Sequence, residues 1–131
     1  VIDFIKIKET CIYVTDIERT RRFYHSLLGL PIISEVSGKH IFFRVGGSVL
    51  LCFIAEDSRK KITPPPHYGS GRLHFAFEVA PENYEAAKAF IKSRGIAIEH
   101  EESWAGGFWS FYFRDPDEHC LEVVQTGMWK P

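Results

Sequence analysis

"FYFRDPDEHCLEVVQ", residues 111–125, joins an aromatic run to an apolar one through a turn built from Asp115, Pro116 and Asp117. Pro presets the turn dihedral and Asp side chains cap nearby backbone, so the stretch reads as two strands folded back on each other. Its anomaly is Glu122, a carboxylate inside the second apolar run. An ionised Glu is rarely buried without a partner, and that partner has to be found elsewhere in the chain.

Upstream, "RLHFAFEV" reads as a strand, "PENYEAAKAFIKSRG" as a helix opened by Pro81 and closed by Gly95, and "IAIEHEES" as a further strand before the quoted pair. The order is β-α-β-β-β. The first half spells the same order. A strand runs from Ile5 to Val14 with Ile5, Ile7, Glu9, Cys11 and Tyr13 on one face, and Asp16 caps a helix over "IERTRRFYHSLLG" that stops at Gly29. Strands follow at "LPIISEV", "HIFFRV" and "SVLLCFIA", separated by Ser37-Gly38 and Gly46-Gly47. Between the halves lies "EDSRKKITPPPHYGSG", a charged and then Pro- and Gly-rich connection. The expected organisation is one domain over 1–131, with a first module at 5–55, a linker at 56–71 and a second module at 72–125. "HIFFRVGG" and "SFYFRDPD" align without gaps, Gly29 falls opposite Gly95, and the strand carrying Glu9 falls opposite the strand carrying His74, so Glu9 and His74 become equivalent positions of the repeat.

The bulk numbers agree with one domain: 131 residues, 45% hydrophobic and 15% aromatic, support a single core. Sixteen Lys and Arg against seventeen Asp and Glu give a charge of -1, and Arg19, Arg21 and Arg22 sit beside Glu18, so no nucleic-acid footprint is present. No apolar run approaches the roughly 18–20 residues that span a bilayer, and the N-terminus lacks the charged-then-apolar pattern of a leader; a soluble, cytoplasmic protein without a membrane partner is expected. Cys11, Cys52 and Cys120 are too few and too dispersed for a disulfide framework. They read as buried thiols acting as small hydrophobes, or as thiols facing the same space as Glu9 and Glu122.

"VTDIERTRRFYHSLLGL", "GRLHFAFEV" and "FYFRDPDEHCLEVV" together resemble the vicinal oxygen chelate superfamily, which includes glyoxalase I, extradiol dioxygenases, fosfomycin-resistance thiol transferases and bleomycin-binding proteins. The resemblance covers Lys8 to Gln125. It implies an α+β fold in which two tandem βαβββ modules form an open, cup-like eight-stranded mixed sheet around a divalent metal. Matched position by position, the ligands it implies are Glu9, where many members carry His, with His74 and Glu122. The carboxylate that glyoxalase I adds on the last strand of module one falls here on Leu51 or Cys52. Oxygen and imidazole donors with open positions suit Zn, Mn, Fe, Ni or Co, and the ion would answer the question Glu122 raises.

Each residue also has a plainer reading. Glu122 pairs with a nearby cation, His74 is a hydrogen-bonded core residue, or Glu9 and Glu122 share a proton in a metal-free cup. His119 reads as part of the turn. Arg44 and Arg114 follow aromatic pairs at equivalent positions, and Arg114 is a candidate for an anionic substrate or a solvated strand end. Tyr68, Trp104, Phe108 and Trp109 lie in aromatic-glycine loops and are expected to line an apolar mouth for a small organic substrate, or else a dimer contact. Two functions follow from the resemblance. One is a metal-dependent lyase, dioxygenase or thiol transferase acting on a small oxygenated molecule. The other is a metal-free dimeric protein that sequesters drug-like compounds. A homodimer is expected in both, with modules paired within a chain or exchanged between chains.

Overall fold

The computed structural model describes residues 1–130. Its eight strands fall into two four-stranded mixed sheets, each with its own helices. The first unit, residues 1–71, contains β1 (Glu9–Tyr13), β2 (Ile32–Val36), β3 (His40–Val45) and β4 (Ser48–Phe53), in the spatial order β1-β4-β3-β2. The second, residues 72–130, contains β5 (His74–Val79), β6 (His100–Trp104), β7 (Phe108–Arg114) and β8 (Cys120–Trp129), ordered β5-β8-β7-β6. In each unit the first strand pairs parallel with the last and the other pairings are antiparallel, so the doubled βαβββ order is a doubled topology too.

Strand alternation separates two chemically different faces in each sheet. In the first unit Ile12, Ile41, Phe43, Leu50 and Cys52 are buried and lie on the face that the helix covers; Tyr24 packs its ring 5.4 Å from Phe43. In the second, Phe111, Phe113, Leu121 and Val123 do the same, with Tyr84 stacked 5.5 Å from Phe111. The opposite, helix-free faces carry the polar and titratable side chains.

The first helix begins at Asp16, whose carboxylate accepts from the Arg19 amide at 3.0 Å, and runs as α1 (Ile17–Arg21). Where a uniform α-helix was expected, Arg22–Leu27 widens into a π-turn, with the Leu28 amide donating to the Phe23 carbonyl at 3.0 Å. Within this wider turn the consecutive rings of Phe23 and Tyr24 are both buried and packed edge-to-face at 4.9 Å. A single turn, α2 (Ala55–Ser58), opens the expected linker. In the second unit a 3-10 turn (Pro81–Asn83) leads into α3 (Tyr84–Ser93), Pro sitting in the first turn where its missing N–H is harmless.

The first strand is shorter than its apolar pattern predicts. β4 begins at Ser48 and pairs from Val49 opposite Glu9, so it has no backbone to offer the chain upstream of Lys8. Ile5 and Ile7 are consequently exposed, together with Val1, Ile2 and Phe4. "IAIE", residues 96–99, likewise precedes its strand, and β8 runs on to Trp129, past the expected end of the module. No helix among the described residues is long and apolar enough to cross a membrane.

Candidate functional site

His74 opens β5 and Glu122 lies near the start of β8, and both strands are fixed by the turn that the sequence marks out. The Asp115 carboxylate accepts from the amides of Asp117 (3.0 Å) and His119 (2.9 Å), and Glu118 takes the left-handed φ of 64° that closes the turn. His119, buried in this turn, accepts the Leu73 amide at its Nδ1 (2.8 Å), while the Cys120 amide donates back to the Leu73 carbonyl (2.8 Å). The structural reading of His119 therefore holds, and it ties down the residue immediately before His74.

With Ala76 opposite Glu122 in the parallel register, His74 and Glu122 share the helix-free face, and Nε2 of His74 stands 3.3 Å from a Glu122 carboxylate oxygen. Glu122 is 7% exposed and the His74 side chain 51%. The other ring nitrogen settles the tautomer. Nδ1 lies 2.7 Å from the Cys120 carbonyl, which can only accept, so Nδ1 carries the proton and a neutral ring turns its Nε2 lone pair toward the carboxylate. Two acceptors facing each other are held stably only by something positive: a proton on Nε2, or a cation bound by both. An imidazole anchored through Nδ1–H to a backbone carbonyl is also how proteins orient metal-binding histidines. The donor set and its orientation fit a divalent ion.

Tyr112 sits directly across from Glu122 on β7, its ring centroid 6.3 Å from that of His74 and 5.9 Å from that of His100. Burial holds its phenol above the usual range; the Ser110 hydroxyl pulls it down and the Glu122 carboxylate pushes it up, so the phenol stays protonated at neutral pH. His100 and Glu102, on the same face, pair at 2.5 Å. Sequence reasoning did not single out Tyr112. The gapless repeat alignment and period-2 alternation carried the information, because they put residue 112 on the same face as Glu122.

Glu9 heads β1 in the other unit, on its helix-free face with Cys11 and Tyr13. Among the described residues no group of three or more His, Cys, Asp and Glu stands together in a way that would hold a metal. Of the three expected donors, the structure brings His74 and Glu122 together. The position equivalent to Glu122 in the first unit is Leu51: Cys11 pairs with Leu51 as Ala76 pairs with Glu122, whereas Cys52 points to the helix side and is fully buried. The cysteines differ in kind. None of the three is in a disulfide; Cys52 is buried, Cys120 is half-buried, and Cys11 is exposed because the face it shares with Glu9 has no helix over it. Desolvation by its neighbours raises the Cys11 thiol, with Glu9 adding to the rise and the Tyr13 hydrogen bond and Lys61 opposing it, so it is no activated nucleophile.

The expected aromatic mouth divides. Trp104 and Phe108 face the same side of the β6–β7 hairpin, Trp104 donating from its indole to the Ser110 hydroxyl at 2.9 Å. Trp109 points to the opposite face by alternation, and Tyr68 belongs to the first unit, with the Arg59 guanidinium 5.5 Å from its ring centroid. Arg114 is engaged: its Nε donates to Glu99 at 3.0 Å and its Nη1 to the Glu118 carbonyl at 3.1 Å.

Two repeated βαβββ units, with a His on the first strand of the second unit and a Glu on its last strand, define the class. The chain belongs to the Glyoxalase/Bleomycin resistance protein/Dioxygenase superfamily, whose model matches residues 6–123. Among curated proteins it is similar to the glutathione transferase FosA of Serratia marcescens, 30% identical over 115 residues covering 84% of this chain and 73% of that one. Among solved structures it is similar to a lactoylglutathione lyase from Agrobacterium tumefaciens (28% identity, TM-score 0.91, 97% of this chain and 98% of the other). A glyoxalase family protein from Enterococcus faecalis also matches (26% identity, TM-score 0.70, 92% and 98%). The first two are named as enzymes.

Proposed function

We propose that this protein is a divalent-metal-dependent enzyme that acts on a small oxygenated molecule, of the lyase or thiol-transferase kind, with glutathione or a glutathione conjugate as its thiol component. The observation that carries the reading is the His74–Glu122 pair, whose Nε2 and carboxylate face each other at 3.3 Å with the imidazole anchored through Nδ1. The glutathione component is supported by the names of two relatives, a glutathione transferase and a lactoylglutathione lyase. Leu51, where glyoxalase I would have a further carboxylate, favours the transferase branch.

In this reading Glu9 is the third protein donor, contributed within the chain or by a second copy. The bound ion would supply positive charge to a substrate oxygen, such as that of an epoxide or an enediolate. The chain's own groups do the rest. Glu122 presents its carboxylate in a setting nearly closed to solvent, the Cys120 carbonyl keeps the proton on Nδ1 of His74, and the Tyr112 phenol offers a proton donor across the strand from Glu122. The exposed apolar side chains ahead of β1 support pairing with a second copy, and three cysteines outside any disulfide agree with a reducing, cytoplasmic setting.

The test is metal analysis of protein purified without chelators, followed by glutathione consumption with a panel of small epoxides and 2-oxoaldehydes. Stoichiometric transition metal in the wild type, lost in His74→Ala and in Glu122→Gln with the circular dichroism spectrum unchanged, is the expected result. Metal-free wild-type protein overturns the proposal in favour of a metal-free binding module, and His74→Ala that retains its metal overturns the assignment of the metal to the His74–Glu122 pair.

A further inference from the structure

The second unit contains a cavity of about 370 Å³ that the metal reading does not use, lined by Trp104, Ala105, Phe108, Gly127, Met128, Trp129 and Lys130. Gly127 lies five residues beyond Glu122 on β8, about 16 Å along the strand at ~3.3 Å per residue, too far for a small molecule to touch both places. Three features make the cavity a built one. Its walls are two indoles, a phenyl ring and a thioether, and Lys130 is the only charged group among them; among the described residues Lys130 makes no ion pair. Its floor exists because residue 127 lacks a side chain. A Cβ there would meet the Phe108 ring at 3.0 Å and the Lys130 Cε at 3.7 Å, and φ is +105°, open only to glycine. Trp129, bulky and 89% exposed, is held at a left-handed φ of 67°, a conformation that costs energy and commonly marks a ligand clamp.

We infer that this cavity binds a small aromatic carboxylate, its flat ring held by Trp104, Phe108, Met128 and Trp129 and its charged end by the Lys130 ammonium. Flat walls of indole and phenyl favour a planar partner, and a lone ammonium beside them favours an anion over a neutral or cationic ring. The volume lies at the small end of ligand pockets, enough for one or two fused rings. The site is independent of the His74–Glu122 pair, so a ligand here is a second small molecule or an effector.

The full-length protein is titrated calorimetrically with 2-naphthoate and with the neutral 2-naphthalenemethanol. Saturable binding of the carboxylate is expected. Lys130→Gln is expected to weaken the carboxylate roughly tenfold and leave the alcohol unchanged, and Trp129→Ala to weaken both by a similar factor. Both residues are exposed, and unchanged circular dichroism verifies that the variants fold. Absence of saturable binding, or either variant binding naphthoate as the wild type does, overturns the inference. Metal content measured on the same samples keeps this outcome separate from that of the metal proposal.

Discussion

Glu101 is the carboxylate whose behaviour the geometry fixes most fully. On β6 it accepts from the Lys88 ammonium at 2.7 Å and the Tyr84 hydroxyl at 2.6 Å, so α3 is bolted to the sheet by one side chain. Lys88, and then Tyr84, hold the Glu101 carboxyl below its usual range, while the Glu101 bond holds Lys88 above its own. A depressed carboxylate contributes stability that is complete above the unfolded-state value near 4.5 and is lost as pH falls through the lower folded value. Glu101→Gln is therefore expected to cost about 1–2 kcal/mol at neutral pH and to flatten the acid limb of a Tm-versus-pH profile, with no effect on metal content. At the same scale, Glu122 and His74 stood out in the sequence as an anomaly, a carboxylate and an imidazole inside apolar runs. The 3.3 Å approach and the tautomer were not, because they depend on the Cys120 carbonyl, which no side-chain pattern reports.

Elements followed the sequence wherever turn chemistry and alternation agreed. The Asp-Pro-Asp turn, the helix stops at Gly29 and Gly95 and the positions of all eight strands came from such local signals. The exceptions have physical causes. An apolar pattern gave a strand at Ile5 and Ile7, but a strand needs a neighbour, and β4 begins too late to be one. The π-turn at Arg22–Leu27 coincides with two adjacent buried rings, and 3.6-residue periodicity does not encode it. The tail beyond Gln125 was missed because Gly127 breaks the alternation, though "GMW" after an apolar strand was a legible sign of continued apolar surface. Two predictions belong here. Gly95 sits at φ +75° with open space around it, so Gly95→Ala should cost about 1 kcal/mol through backbone strain alone, measured by urea denaturation. Phe111, fully buried between β7 and α3, should cost about 3–5 kcal/mol on truncation to Ala, seen as a large fall in the denaturation midpoint.

For the whole molecule, the duplicated order was readable because each module repeats the same succession of strand, helix and three strands, even though the second spaces them more widely. What the sequence pattern left open is whether the modules of the expected homodimer pair within a chain or between chains. Five large apolar side chains, Val1, Ile2, Phe4, Ile5 and Ile7, stand in solvent ahead of β1, interrupted by Asp3 and Lys6. Such a segment on an isolated chain favours self-association. Ile5→Glu combined with Ile7→Glu is expected to shift sedimentation velocity from dimer toward monomer while leaving the cooperative unfolding of each unit intact. If Glu9 is supplied by a second copy, the same variant should lose metal as it dissociates, whereas an intrachain site would keep it.

The correspondence of Leu51 with Glu122 reaches beyond the present chemistry. Duplication made two scaffolds with matching sockets, and only one retains an acidic plug; the other holds a hydrocarbon beside an intact acid at Glu9. Leu51→His would then recreate, in mirror order, the imidazole-and-carboxylate couple on the first unit. Cobalt(II) titration of that variant in a His74→Ala background should restore a visible d–d absorption band. The ancestral repeat would thereby prove to be a reusable mount whose second berth lies one substitution away.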